Sequence, residues 1–220
     1  GRRVMRVSAS EIESTLQKAT IGFGLGIGCG VEAGRSALTI ARHDVDPVAI
    51  FAAAFDNVSS GRSSTYDNVR AFDGVFAPIR AETHLSAIMS APAICDSLTA
   101  GTGQLVAESV DFPIILLMSL LSRGLNIECE SLGEKGVVIF SNAGNLRYEN
   151  GEIENFQKPS SLKLSYIAGF ERNLLSHPMG ELKVDCNSWS ELLSYAERCL
   201  VVGSEQSRLM EAGAGLIDED

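Results

Sequence analysis

The sequence predicts an α+β domain with helices at both ends of the chain, a central apolar helix, and an antiparallel or mixed sheet in the latter half. Three observations carry that expectation. Three helical periodicities precede the strand patterns, one mid-chain helix is apolar on nearly every side, and the strand patterns then cluster instead of alternating with helices as βαβ units would. With 220 residues the chain can bury roughly 70% of the surface its unfolded form exposes, so one large domain is feasible. The span 1–220 is read as one domain, with a helical N-terminal part over 8–57.

The first helix is the best-marked element. Ser8-Ala9-Ser10-Glu11 fits a capping box, and Val7 with Ile12 takes the positions of a hydrophobic staple. Ile12, Leu16 and Ala19 recur on one face as far as Thr20, with Glu11, Ser14, Gln17 and Lys18 supplying polar positions. A second helix is expected over 31–42, with Ala33, Ala37, Ile40 and Ala41 turned inward. Asp46-Pro47 then pairs an N-cap with a proline at the first helical position and opens a third helix through Phe51 and Phe55.

The Ser- and Gly-rich stretch 57–67 reads as a loop. Beyond it, 69–79 has a mixed strand-like pattern, 85–98 is helical but interrupted at Pro92, and 105–110 reads as a strand. Asp111 is placed to cap the apolar helix over 114–121, which Gly124 ends, so this helix belongs in the middle of the core. Alternation predicts a strand at 126–132, and a run apolar on both faces predicts another at 137–140. Asn150-Gly151 is the signal of a two-residue hairpin within 146–154, with Tyr148 facing Ile153 and Arg147 facing Glu154. Strands at 162–168 and 181–186 and helices at 189–200 and 204–211 complete the chain.

Gly22, Gly24, Gly26, Gly28, Gly30 and Gly34 crowd one short stretch. Gly28-Cys29-Gly30-Val31-Glu32-Ala33 satisfies G-x-G-x-x-A, but a dinucleotide turn needs a strand feeding it, and here a helix does. The stretch reads instead as a joint whose missing side chains let helices approach closely. A third reading stays open: N–H groups at a helix start, with Arg35 one turn in, could hold a small anion.

The formal charge of −10 repels a phosphodiester backbone, and no basic patch compensates, so nucleic acid is not an expected partner. The longest apolar run, around 112–121, is shorter than the roughly 20 residues that a bilayer requires, and the basic start leads into polar residues, unlike a secretory signal. Cys29, Cys95, Cys129, Cys186 and Cys199 are odd in number and contain no C-x-x-C pair, which fits five reduced thiols in a cytoplasm better than a disulfide framework or zinc knuckle. His43, His84 and His177 form no metal-binding pair, and no metal is expected. His84 with Cys95 would make a base and nucleophile, though Cys95 also fits a buried helix face. Glu128 and Glu130 fall on one side of a strand, close enough to share a cation or proton, with solvation the simpler account.

Two stretches, Gly30-Val31-Glu32-Ala33-Gly34-Arg35-Ser36-Ala37 and the segment from Ser204 to Asp220, together with Val7-Ser8-Ala9-Ser10-Glu11-Ile12, resemble an uncharacterised bacterial family, a domain of unknown function spanning about this length. The resemblance implies a single-domain cytoplasmic protein and supplies no catalytic residue. A shorter resemblance links the N-terminal helices to the type 2 malate and lactate dehydrogenases. It ends where that family's Ser-His-Gly motif should appear, because the only nearby histidine lies in Arg42-His43-Asp44.

The functional expectation is a protein, enzymatic or not, that binds a small charged metabolite between the two glycine-rich segments; its cofactor is unknown. Glu32 and Arg35 would orient the ligand, Ser204, Ser207 and Arg208 would contact an anion, and Asp218 and Asp220 could bind a hard cation or dock the tail. The alternative is a non-catalytic interaction or homo-oligomerisation module.

Overall fold

The structure is a computed structural model that describes residues 3–132, 138–142, 145–148, 152–167 and 180–199. It is an α+β fold in which helices flank two sheets around one hydrophobic core. β1 (Val4–Ser8) leads directly into α1 (Ala9–Gly22), whose start is fixed as the capping sequence implies: Ser8 Oγ accepts from Glu11 N at 3.3 Å. α2 (Ile27–Ala41) and α3 (Pro47–Ser59) follow. Asp46 caps α3 through Val48 N and Ala49 N, and its second oxygen accepts from Asp185 N at 3.0 Å. One carboxylate thus ties the third helix to the distant β9 (Glu181–Asp185), which pairs antiparallel with β1 and runs into α6 (Cys186–Arg198).

α2 begins four residues earlier than its apolar pattern suggests, so Gly28, Gly30 and Gly34 are helical. The reason is packing. A Cβ on Gly30 would sit 2.8 Å from Gln17 O, and one on Gly34 3.0 Å from Glu13 O, so the bare face of α2 lets the backbones of α1 and α2 nearly touch. Gly22 does the same against α6, where an added Cβ would fall 1.9 Å from Tyr195 O. Phe23, Phe55 and Tyr195 seal this end with ring centroids 4.6 to 5.4 Å apart.

The larger sheet holds β2 (Val69–Phe72), β3 (Val75–Pro78), β4 (Gln104–Val110), β5 (Ile127–Ser131), β6 (Val138–Asn142), β7 (Asn145–Tyr148) and β8 (Ser160–Tyr166). Their order is β2-β3-β4-β8-β5-β6-β7, antiparallel throughout except where β3 meets β4. β2 and β3 form a two-residue hairpin on Asp73 and Gly74, both at positive φ as such a turn demands.

α4 (Ala87–Ser97) and α5 (Pro113–Ser122) pack on each other, and α5 also packs on α2. α4 is not interrupted at Pro92 but runs through it. Ile88, Met89, Ala91, Ile94 and Cys95 are buried on both sides of the proline, and that packing outweighs the hydrogen bond it removes. Gly124, at φ 76, ends α5 as expected.

Two further expectations need correction. Residue 153 does not pair with Tyr148: Ile153–Gln157 is a 3-10 turn whose Ile153 and Phe156 enter the core, and β7 pairs with β6 instead, Tyr148 opposite Ile139 and Arg147 opposite Phe140. Burial of two large side chains prevails over an Asn-Gly signal whose turn residues lie outside the described segments. Asp111 is not the N-cap of α5, a position that Phe112 holds; its carboxylate accepts from Phe112 N but also from Ala87 N, the first residue of α4. The expected helix at 204–211 lies outside the described residues.

Candidate functional site

α2 carries the sequence-predicted residues that the structure describes, and it presents them differently. Glu32 is buried, and its carboxylate receives the fork of Arg123 from the end of α5, Nε to Oε1 at 2.7 Å and Nη2 to Oε2 at 3.0 Å. The third guanidinium edge reaches Asp96 Oδ1 on α4 at 2.6 Å. Two-point contact of this kind is the strong geometry for Arg and carboxylate, and here it joins three helices. The partners raise the Arg123 pKa against the lowering effect of its burial. Arg35 stands exposed one turn beyond, with no side-chain partner among the described residues. Ser204, Ser207, Arg208, Asp218 and Asp220 lie outside the described residues, so the expected meeting of two glycine-rich segments has only its first half in view.

Beside the Glu32–Arg123 pair a cleft opens between α2, α4 and α5. Phe51, Ile88 and Ile115 form apolar walls, while Cys29, Glu32 and Ser119 contribute polar edges. Its enclosed part is about 10 Å³, room for one water, and counting the part open to solvent it spans about 200 Å³. Ser119 is 1% exposed and turns into the cleft's lining. Pro92 also lines the cleft; lacking an N–H, it cannot bond the Ile88 carbonyl one turn earlier. Cys29 at the edge shares a 3.4 Å contact with the Tyr66 hydroxyl, whose pKa is raised by burial and by that thiol.

Arg123, Asp96, Ser119 and Tyr66 were not singled out by sequence reasoning. An arginine closing a helix that is otherwise apolar was the available signal, because such a charge must find a partner close to the core. The His84 and Cys95 pairing does not form. Cys95 is fully buried, its pKa raised by desolvation and by the Glu32 charge, whereas His84 Nδ1 lies 2.9 Å from Ser109 Oγ. Glu130 stands opposite Lys163 in the β5–β8 ladder, which gives that carboxylate a cross-strand neighbour of opposite charge. His43 is half-buried, its pKa lowered by burial and by Arg42; His177 lies outside the described residues. Among the described residues, no group of three or more His, Cys, Asp and Glu side chains is placed to hold a metal ion. No helix among them is long and apolar enough to cross a membrane.

Comparison with protein-family models and with curated proteins gives no match. Among solved structures, the chain is similar to the crystal structure of malate dehydrogenase from Entamoeba histolytica, at 11% identity and a TM-score of 0.39, over 93% of this chain and 72% of that one. A likeness of that size carries neither fold family nor chemistry to this chain.

Proposed function

We propose that the chain binds a small molecule at the cleft between α2, α4 and α5, one whose cationic or hydrogen-bond-donating end takes the water-sized enclosed part and whose short apolar body lies in the part open to solvent. The observation that supports this reading is the cleft itself: an opening in a close-packed interior, with apolar walls, the buried Ser119, and the Glu32 carboxylate at its edge. Glu32 is the one charged residue in the cleft's lining, so the lining favours a cation over an anion. A panel of short alkylamines and short carboxylates, screened by thermal shift, tests it. An amine should stabilise the wild type and lose its effect in Ser119→Leu, which fills the cleft; no shift from any member, or a shift that survives Ser119→Leu, ends the reading.

The finer proposal places a charged metabolite between the two glycine-rich segments, with Glu32 and Arg35 on one side and Ser204, Ser207, Arg208, Asp218 and Asp220 on the other. Loss of the stabilisation in both Arg35→Ala and Arg208→Ala is its specific signature. A second reading, self-association, draws on the outer strand β2: Phe72 is 79% exposed and, among the described residues, the strand's far edge is unpaired. Light scattering that changes with Phe72→Lys supports it; a monomer at all concentrations rejects it.

A further inference from the structure

We propose that Ser109 and His84 form a nucleophile and general-base pair that hydrolyses a carboxylic ester. Neither residue lines the cleft described above. Ser109 Oγ and His84 Nδ1 are 2.9 Å apart, within the distance at which an imidazole can take a hydroxyl proton. Both side chains are half-buried, so they combine partial desolvation with access for a substrate.

The backbone at Ser109 is unusual. It has φ 53, in the left-handed region that serine seldom adopts, and it stands where the β4–β8 register shifts between Ala107 and Val110. A bulge of this kind turns a side chain out of the sheet's alternation, and such strain persists only where neighbours over-determine it. They do so here. Ser109 N donates to Ser161 Oγ at 2.9 Å, and Ser109 O accepts from Leu85 N at 2.8 Å. His84 is held in the same way, its N–H on Arg62 O at 2.9 Å and its carbonyl on Ser64 N at 2.8 Å.

Asp111 joins these segments from beneath. Fully buried, it accepts from Ser63 Oγ at 2.7 Å and from Ala87 N at 2.8 Å, linking the chain before His84's neighbours, the start of α4, and the end of β4. Asp111 is a positioning residue, outside the reacting pair, that acts through Ser63 and the start of α4.

The step closes chemically. Ser109 Oγ bonds to the ester carbonyl carbon while its proton passes to His84 Nδ1. Collapse of the tetrahedral species breaks the bond to the leaving oxygen, which takes that proton and departs as the alcohol. Water then bonds to the acyl carbon, its proton passes through His84 to Ser109 Oγ, and the carboxylic acid leaves.

An alkyl fluorophosphonate followed by peptide mass spectrometry, with p-nitrophenyl acetate as the turnover probe, tests the pair on the full chain. The wild type should carry one adduct, on Ser109, and release p-nitrophenol. His84→Ala, or His84→Asn if the first variant does not fold, should lower both rates at least tenfold. Ser109→Gly suits the positive φ, so it should keep or raise Tm while abolishing both signals, a split that a merely structural serine would not produce. The proposal is overturned by the absence of an adduct on Ser109 in folded protein, by labelling unchanged without His84, or by wild-type turnover in Ser109→Gly.

Discussion

Glu32 and Arg123, 91 residues apart in sequence, meet by two parallel hydrogen bonds and so clamp α2 to the end of α5. The Glu32 side chain is only 10% exposed and that of Arg123 32%, which makes the carboxylate the more dangerous of the two to leave alone. Arg123→Ala should cost about 2–4 kcal/mol, somewhat below a fully buried broken pair because the arginine edge is partly solvated. Arg123→Lys keeps the charge but not the fork and should fall between alanine and wild type. Urea titration of the three proteins checks the order; an alanine variant as stable as wild type would show that the clamp contributes nothing.

The glycines of one short stretch should behave in opposite ways. Gly22→Ala puts a methyl group into the Tyr195 carbonyl, which only a shift of α1 from α6 can relieve, so a loss above about 2 kcal/mol is expected. Gly28 lies in α2 with nothing near its missing Cβ, and Gly28→Ala should stabilise by about 0.5–1 kcal/mol through helix propensity and a less flexible unfolded chain. Thermal melts of both variants decide it; similar Tm values would mean that these glycines are interchangeable joints.

This contrast marks what could be read in advance. The caps Ser8 and Asp46, the inward stripe Ala33, Ala37 and Ile40, and the apolar α5 follow from local chemistry, which is why the helical layout was legible. The hairpin at Asp73-Gly74 carried a standard turn signal that a mixed apolar pattern obscured, while the expected pairing of Tyr148 with Ile153 gave way to a 3-10 turn that buries Ile153 and Phe156. β1 escaped notice because its residues are mostly exposed and it exists only through pairing with β9. The site was less legible still. Glu32 was visible, but its partners Arg123 and Asp96 come from other helices, and neither spacing nor composition encodes a contact across 91 residues.

The cysteines divide into two classes by burial. Cys95 and Cys129 are buried and their thiol pKa values are raised by desolvation, so they should be inert, whereas Cys29, Cys186 and Cys199 are half-exposed. A chromogenic disulfide reagent should therefore titrate three thiols in the native protein and the remaining two only after denaturant is added. Rapid reaction of all five would contradict the packing of α4 against α5 and of β5 in the sheet.

Asp111 should leave a signature in the pH dependence of stability. Burial raises its carboxyl pKa above the ordinary 3.8, with the donors Ala87 N, Ser63 Oγ and Phe112 N pulling the other way. The folded protein therefore holds this proton more tightly than the unfolded chain, which releases it near about 3.9. Stability associated with this group is fully present below that value, declines as pH rises through the folded pKa, and is constant above it. Asp111→Asn keeps an acceptor for both backbone N–H groups, can donate to Ser63 Oγ, and carries no charge to desolvate. It should flatten the profile above about pH 4 and match or exceed wild-type stability near pH 8, while Asp111→Ala leaves three donors unpaired and should lose about 2–4 kcal/mol. Denaturant midpoints collected across that range give the answer. If wild-type stability climbs relative to Asp111→Asn as pH increases, the carboxyl is stabilised in its charged form and burial is not the dominant influence on it.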